Sequence, residues 1–172
     1  MSDYVMEEGN LKFDFTRCGV PTKFDIESNS GLSAVDFIAH KKNCILFIEV
    51  KDYQNPNTSD SQRTETLVML REAVKNKEST FCLKMGSKIK DSLLSVYAKG
   101  KSELFTKNVV YLLFINSDML TAAERLSLFD NICGYVPTGL NHDRFTAFKK
   151  IRFKIVDAEK LKKYGITCTT IV

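Results

Sequence analysis

The sequence predicts an α/β fold, a mixed central β-sheet flanked by helices, built as one domain over residues 1–172. Three observations predict it. Cys44–Val50 and Val109–Ile115 are almost wholly apolar and rich in β-branched and aromatic residues, as sheet strands buried on both faces are. Between them lie segments whose apolar residues recur every three to four positions, the period of an amphipathic helix. The order of strands, helices, strand, helix, strand then favours a layered domain with helices on both faces of the sheet.

Taken in order, Leu11–Thr16 alternates apolar and polar residues, the period of a half-buried strand, and Lys23–Glu27 is a second short candidate. Asn29–Gly31 reads as a turn. Ala34–Ala39 and Cys44–Val50, joined by the polar stretch His40–Asn43, read as a β-hairpin. The polar segment that follows Lys51 is a loop by composition, and a helix starts near Arg63 with Leu67, Leu70 and Val74 on one stripe. Ser79 is placed to cap a second helix, whose stripe is Phe81, Met85, Ile89, Leu93 and Val96, with Gly100 ending it. Val109–Ile115 is a buried strand, and Thr121 with Glu124 forms a capping box for a helix reaching Cys133. Ile151–Val156 closes the sheet, Ala158–Tyr164 reads as a short helix, and Ile166–Val172 as an edge strand.

Composition narrows the function classes. With 44% hydrophobic and 27% charged residues, the chain of 172 residues can bury a core without disulfides or metals. The longest apolar run is strand length, far short of a membrane span, and the N-terminus has no leader-like apolar segment. The expectation is a soluble cytoplasmic protein. Five scattered cysteines without a paired spacing, and only His40 and His142, argue against a zinc site and against a disulfide framework. Two histidines also leave little for a Ser-His-Asp or Cys-His mechanism, so carboxylates and lysines are the expected chemistry. Residues 1–36 hold 7 acidic and 3 basic side chains, a net of −4. Residues 75–107 and 140–172 each hold 8 basic and 3 acidic ones, a net of +5 in both. Such segments either coat helix surfaces or build a phosphate-attracting face.

The hairpin carries the informative residues. Asp36 stands among apolar neighbours in its first strand, and Glu49 interrupts the end of the second. Glu49 and Lys51, two apart, point to the same side of that strand, with Val50 pointing to the other. A tight turn at residues 40–43 sets Asp36 opposite positions 47 and 48, one diagonal step from Glu49. Two carboxylates and an ammonium on an apolar sheet cost several kcal/mol (roughly 3–5) unless paired or metal-bound. Functional sites bear such a cost. The plainer alternative leaves Asp36 on an exposed edge and Glu49 and Lys51 at a surface strand end.

Ala34–Ile38, a short hairpin and then Ile48–Tyr53 resemble the core motif of the PD-(D/E)XK nuclease superfamily. There an Asp opens one strand and a Glu-x-Lys closes the next. The separation of 13 positions between Asp36 and Glu49 is of the family's kind, while Val35 replaces its usual proline. The resemblance covers about 20 residues closely and the order of elements more loosely. It implies a restriction-endonuclease-like core and hydrolysis of DNA phosphodiester bonds, as in small bacterial restriction-like and antiviral defence nucleases. Asp36, Glu49 and Lys51 would be the catalytic set. Asp36, Glu49 and the Val50 carbonyl would hold Mg²⁺, for which Mn²⁺ would substitute, and Lys51 would stabilise charge on the phosphate and orient the attacking water. A further acidic ligand would come from Asp14, Asp25 or Glu27. Gln54, Gln62 and Arg63, and Lys84 and Lys88 on the second helix, are candidates for phosphate contact, and Asp91 shares that helix. A chain this short points to a homodimer or a partner protein as the source of specificity. The rival readings are a non-catalytic module of the same fold that binds nucleic acid or protein, and an immunity-type protein whose acidic N-terminal segment masks a basic partner. The residues do not distinguish DNA from RNA.

Overall fold

The computed structural model describes residues 3–24, 31–141 and 149–171. Its larger sheet has five strands: β3 (Pro21–Lys23), β4 (Phe37–His40), β5 (Cys44–Asp52), β6 (Asn108–Asn116) and β7 (Lys150–Val156). They lie in that order, with β3, β4 and β5 antiparallel and β5, β6 and β7 parallel, so the sheet is mixed. A second, antiparallel sheet has the order β1 (Val5–Glu8), β2 (Leu11–Asp14) and β8 (Thr167–Thr170). The helices are α1 (Asp60–Lys75), α2 (Thr80–Ala98), α3 (Ala122–Cys133) and α4 (Ala158–Lys162).

Alternation along β5 and β6 sorts the core into two layers. Ile45, Phe47, Val109, Tyr111, Leu113 and Ile115 face the apolar stripes of α1, α2 and α3, among them Leu70, Met85, Ile89 and Leu128. Leu46, Ile48, Val50, Val110, Leu112 and Phe114 face the other way. That second layer departs from the expected helical cover, because the three-stranded sheet supplies most of it and α4 adds only five residues. The reason lies in β2, where Leu11 and Phe13 point inward together with Phe15 just beyond it. The Phe13 ring centroid is 5.5 Å from that of Phe37 and 5.4 Å from that of Phe114.

Element ends follow capping more than periodicity. Ser59 and Gln62 form a capping box, so α1 begins at Asp60, ahead of the first apolar stripe residue. Ser79 and Thr121 cap α2 and α3 as expected. β5 runs on to Asp52 because the parallel partner continues beside it and Asn116 Nδ2 donates to Asp52 Oδ1 at 2.7 Å. The first of the paired strands, β1, was not anticipated, since its four residues lack a clean alternation. The expected turn at Asn29–Gly31 and the far end of the Lys23–Glu27 strand lie largely outside the described residues. All five cysteines are unpaired, two of them buried and three partly buried. Among the described residues no helix is long and apolar enough to cross a membrane.

Gly86 lets α2 come close to the turn after α3. A Cβ there would meet Tyr135 Cβ at 2.3 Å and its carbonyl oxygen at 3.0 Å. Backbone-anchored atoms cannot step aside, so Gly86→Ala is expected to destabilise the fold by about 1–3 kcal/mol despite alanine's better helix propensity. A urea melt followed by circular dichroism measures it, and an unchanged midpoint would mean the two elements separate freely.

Candidate active site

The site forms where the end of β5 meets α2. Sheet alternation turns Glu49 and Lys51 toward the helical layer and Val50 toward the opposite one, as the sequence implied. The hairpin register differs from the expectation by one to two residues. Phe37 pairs with Ile48 and His40 with Ile45, and Asp36, just ahead of the ladder, also bonds back to Ile48 through its N–H, next to Glu49 in the facing strand. The turn is the cause: Lys41 N–H bonds to the Cys44 carbonyl at 2.9 Å, closing the hairpin one position later than anticipated.

Asp36 stands just before β4 and is fixed from several sides. Its N–H donates to the Ile48 carbonyl at 3.0 Å, and its carboxylate Oδ2 accepts the Val50 N–H at 2.6 Å. The chain ahead of it is strapped to α2. Asp91 Oδ2 accepts both the N–H and the hydroxyl of Ser33, at 3.0 and 2.9 Å, and Ser92 Oγ accepts the Val35 N–H at 3.0 Å. Ser92 is buried, so Ser92→Ala is expected to strand the Val35 N–H and to cost about 1–3 kcal/mol. Amide exchange checks this directly: the Val35 N–H should be protected in the parent protein and exchange freely in the variant.

Glu49 is 0% exposed and its charge is met by two lysines. Lys51 Nζ lies 2.5 Å and Lys88 Nζ 2.9 Å from the same oxygen, Oε1. The other oxygen, Oε2, is buried and has no hydrogen-bond partner among the described residues. Burial pushes the Glu49 carboxyl above its ordinary value and the neighbouring Asp36 adds to this, while Lys51 and Lys88 pull it back down. Beneath them the Tyr111 hydroxyl donates to the Met85 carbonyl at 3.2 Å. Burial, with Glu49 and Asp36 near, holds that phenol protonated.

A bare, buried carboxylate oxygen beside a second carboxylate is a hard oxygen donor set of the kind Mg²⁺ or Mn²⁺ accepts while keeping several waters. The set has two carboxylates. Among the described residues no three His, Cys, Asp or Glu side chains converge. Asp14, one candidate for a third ligand, lies in the other sheet, accepts the N–H and hydroxyl of Thr16 and lines a different cleft with Arg17 and Lys162. Asp25 and Glu27 lie outside the described residues.

The other candidates divide. Gln62 is taken up by the cap of α1, Arg63 Nη2 donates to the Asn55 carbonyl at 3.2 Å, and Gln54 lines a separate cleft near Asp157. Lys84 is exposed on the rim of the cleft that Lys51 and Lys88 also line. Lys88 is the residue whose importance the sequence understated. Its signal was the one-turn spacing from Lys84, which by itself also describes a solvated helix face. Compared with protein-family models, curated proteins and solved structures, the chain matches none.

Proposed function

We propose that the protein is a metal-dependent nuclease of the PD-(D/E)XK kind that hydrolyses DNA phosphodiester bonds. One observation carries the proposal: Glu49, buried at the end of a central strand, is held by two lysines through one oxygen, its other oxygen has no hydrogen-bond partner among the described residues, and Asp36 is near enough to act on its charge. A core built only for stability favours a well-packed apolar residue over this arrangement. The element order supports a restriction-endonuclease-like core, since three antiparallel strands are followed by helices and a parallel strand. The superfamily pattern runs helix, three strands, helix, strand, and its opening helix has no counterpart among the described residues before β3.

Asp36, Glu49 and the Val50 carbonyl would hold Mg²⁺ or Mn²⁺, and the cation would neutralise phosphate charge and acidify a bound water. The chain's own part is electrostatic. Lys51 and Lys88 place two ammonium groups over the site, where they meet the negative charge that builds on the phosphate oxygens. Asp36 is locked by the Val50 N–H, so its carboxylate needs no reorganisation. Defence against foreign DNA is the setting the sequence resemblance implies, with a homodimer or partner protein providing specificity.

The test is incubation of the purified protein with supercoiled plasmid and with a single-stranded DNA circle, each with Mg²⁺ or Mn²⁺ and with EDTA. Cutting that depends on the metal is the expected result. A folded protein that binds DNA and cuts neither form would replace the enzyme with the non-catalytic binding module. A protein that neither binds nor cuts DNA would move the test to RNA, and failure on RNA as well would end the nucleic-acid reading.

A further inference from the structure

A cleft of about 520 Å³ opens between α1, α2 and the end of β5, within the size range of small-ligand sites. Met69, Phe81, Leu83 and Met85 give it an apolar interior, while Lys51, Lys84 and Lys88 line it as well. Lys51 and Lys88 are the two residues that reach Glu49, so the cleft and the proposed site share one boundary. Leu83 is 45% exposed, one of three large apolar side chains that α2 turns to water, and of the three it is the one that lines the cleft.

We propose that this cleft receives an unstacked base and that the substrate is single-stranded DNA, a reading that rests on the nuclease proposal for the identity of the ligand. The chemistry decides between strand forms. A duplex presents phosphates and grooves, with its base faces stacked inside, so an apolar recess beside the scissile phosphate meets nothing in it. A single strand offers both halves at once: a flat apolar base for the recess and a flanking phosphate for the lysines. Stacking or apolar contact on a base face is tolerant of sequence, so such a cleft takes a strand without reading it.

Fluorescence polarisation with a labelled single-stranded oligonucleotide and its blunt duplex, in EDTA and at one fixed salt concentration, tests the inference. The single strand is expected to bind about tenfold more tightly than the duplex. Leu83→Ser and Met69→Ser, which change no charge, are each expected to weaken single-strand binding several-fold, to about tenfold together, and to leave duplex binding unchanged. Leu94→Ser, also on α2 and 54% exposed but outside the cleft, is expected to change neither. Thermal melts confirm that the exposed Leu83 substitution leaves the fold intact. Equal or tighter duplex binding overturns the inference, as does single-strand binding that ignores both cleft substitutions. Because EDTA removes cleavage from the measurement, the two readings fail separately. A protein that grips single strands and cuts nothing loses the nuclease reading alone, and one that cuts duplex but ignores single strands loses only this one.

Discussion

Lys51→Ala is expected to lower metal-dependent DNA cutting by about 10²–10³-fold, the usual loss when one preorganised charge-stabilising donor is removed. The loss should fall on turnover and leave the fold standing. Lys88 remains 2.9 Å from Glu49 Oε1, so the buried carboxylate is not left without a cation. Lys51 is itself 30% exposed at its side chain, and truncation opens no cavity in the core. Lys51→Arg should rescue little, because a planar guanidinium cannot occupy the position of a compact ammonium shared between a carboxylate and a phosphate. Plasmid nicking measured beside circular dichroism checks both halves. A folded Lys51→Ala protein that cuts within about tenfold of the parent rate would take Lys51 out of its proposed role.

Lys88→Met is expected to show its effect through pH. In the folded protein burial raises the Glu49 carboxyl above its ordinary 4.5, and Lys88 is one of the two cations pulling it down. Removing Lys88 removes a downward pull, so the carboxyl rises further and its ionised form needs a higher pH. The acid limb of the cutting profile should therefore move to higher pH, with a loss of about 10²-fold on the acid side that narrows as the buffer becomes alkaline. Stability follows the same linkage. A carboxyl raised on folding gives its stability below its unfolded value and loses it as pH rises through the folded one. Urea melts should show Lys88→Met nearest the parent protein in acid and falling further below it as pH climbs past 4.5. Adding Glu49→Gln to Lys88→Met should flatten that dependence, because nothing is left to ionise. An acid limb that stays in place would mean that Lys88 touches Glu49 without governing its charge.

Much of this site was legible in residues close together in the chain. Glu49 and Lys51 share a side of β5 because strand alternation is a local property, and their neighbours in the strand are nearly all apolar. The caps at Ser79 and Thr121 were legible for a like reason, since a cap acts within one turn. The hairpin was legible as a hairpin, though its register was not, because one hydrogen bond at Lys41 decides where the turn closes. The cover over the second face of the sheet was misjudged. Strand β1, a hairpin partner of β2, lacks the alternation that marks a strand, and β8, expected at an edge, pairs with β2 from the far end of the chain, a partnership that leaves no local mark.

By itself, then, the sequence determined the central strands, the capped helices and the carboxylate–lysine pattern of Asp36, Glu49 and Lys51. Tertiary structure decided the rest. It bound Asp36 to Ile48 and Val50 of the facing strand, strapped the Ser33–Val35 segment to Asp91 and Ser92, and brought Lys88 from 39 positions along the chain onto the same carboxylate oxygen as Lys51. The physical reason is range: alternation and capping act over a few residues, whereas the meeting of a helix lysine with a strand carboxylate depends on how α2 packs against the sheet and against the turn after α3, where Gly86 permits the close approach.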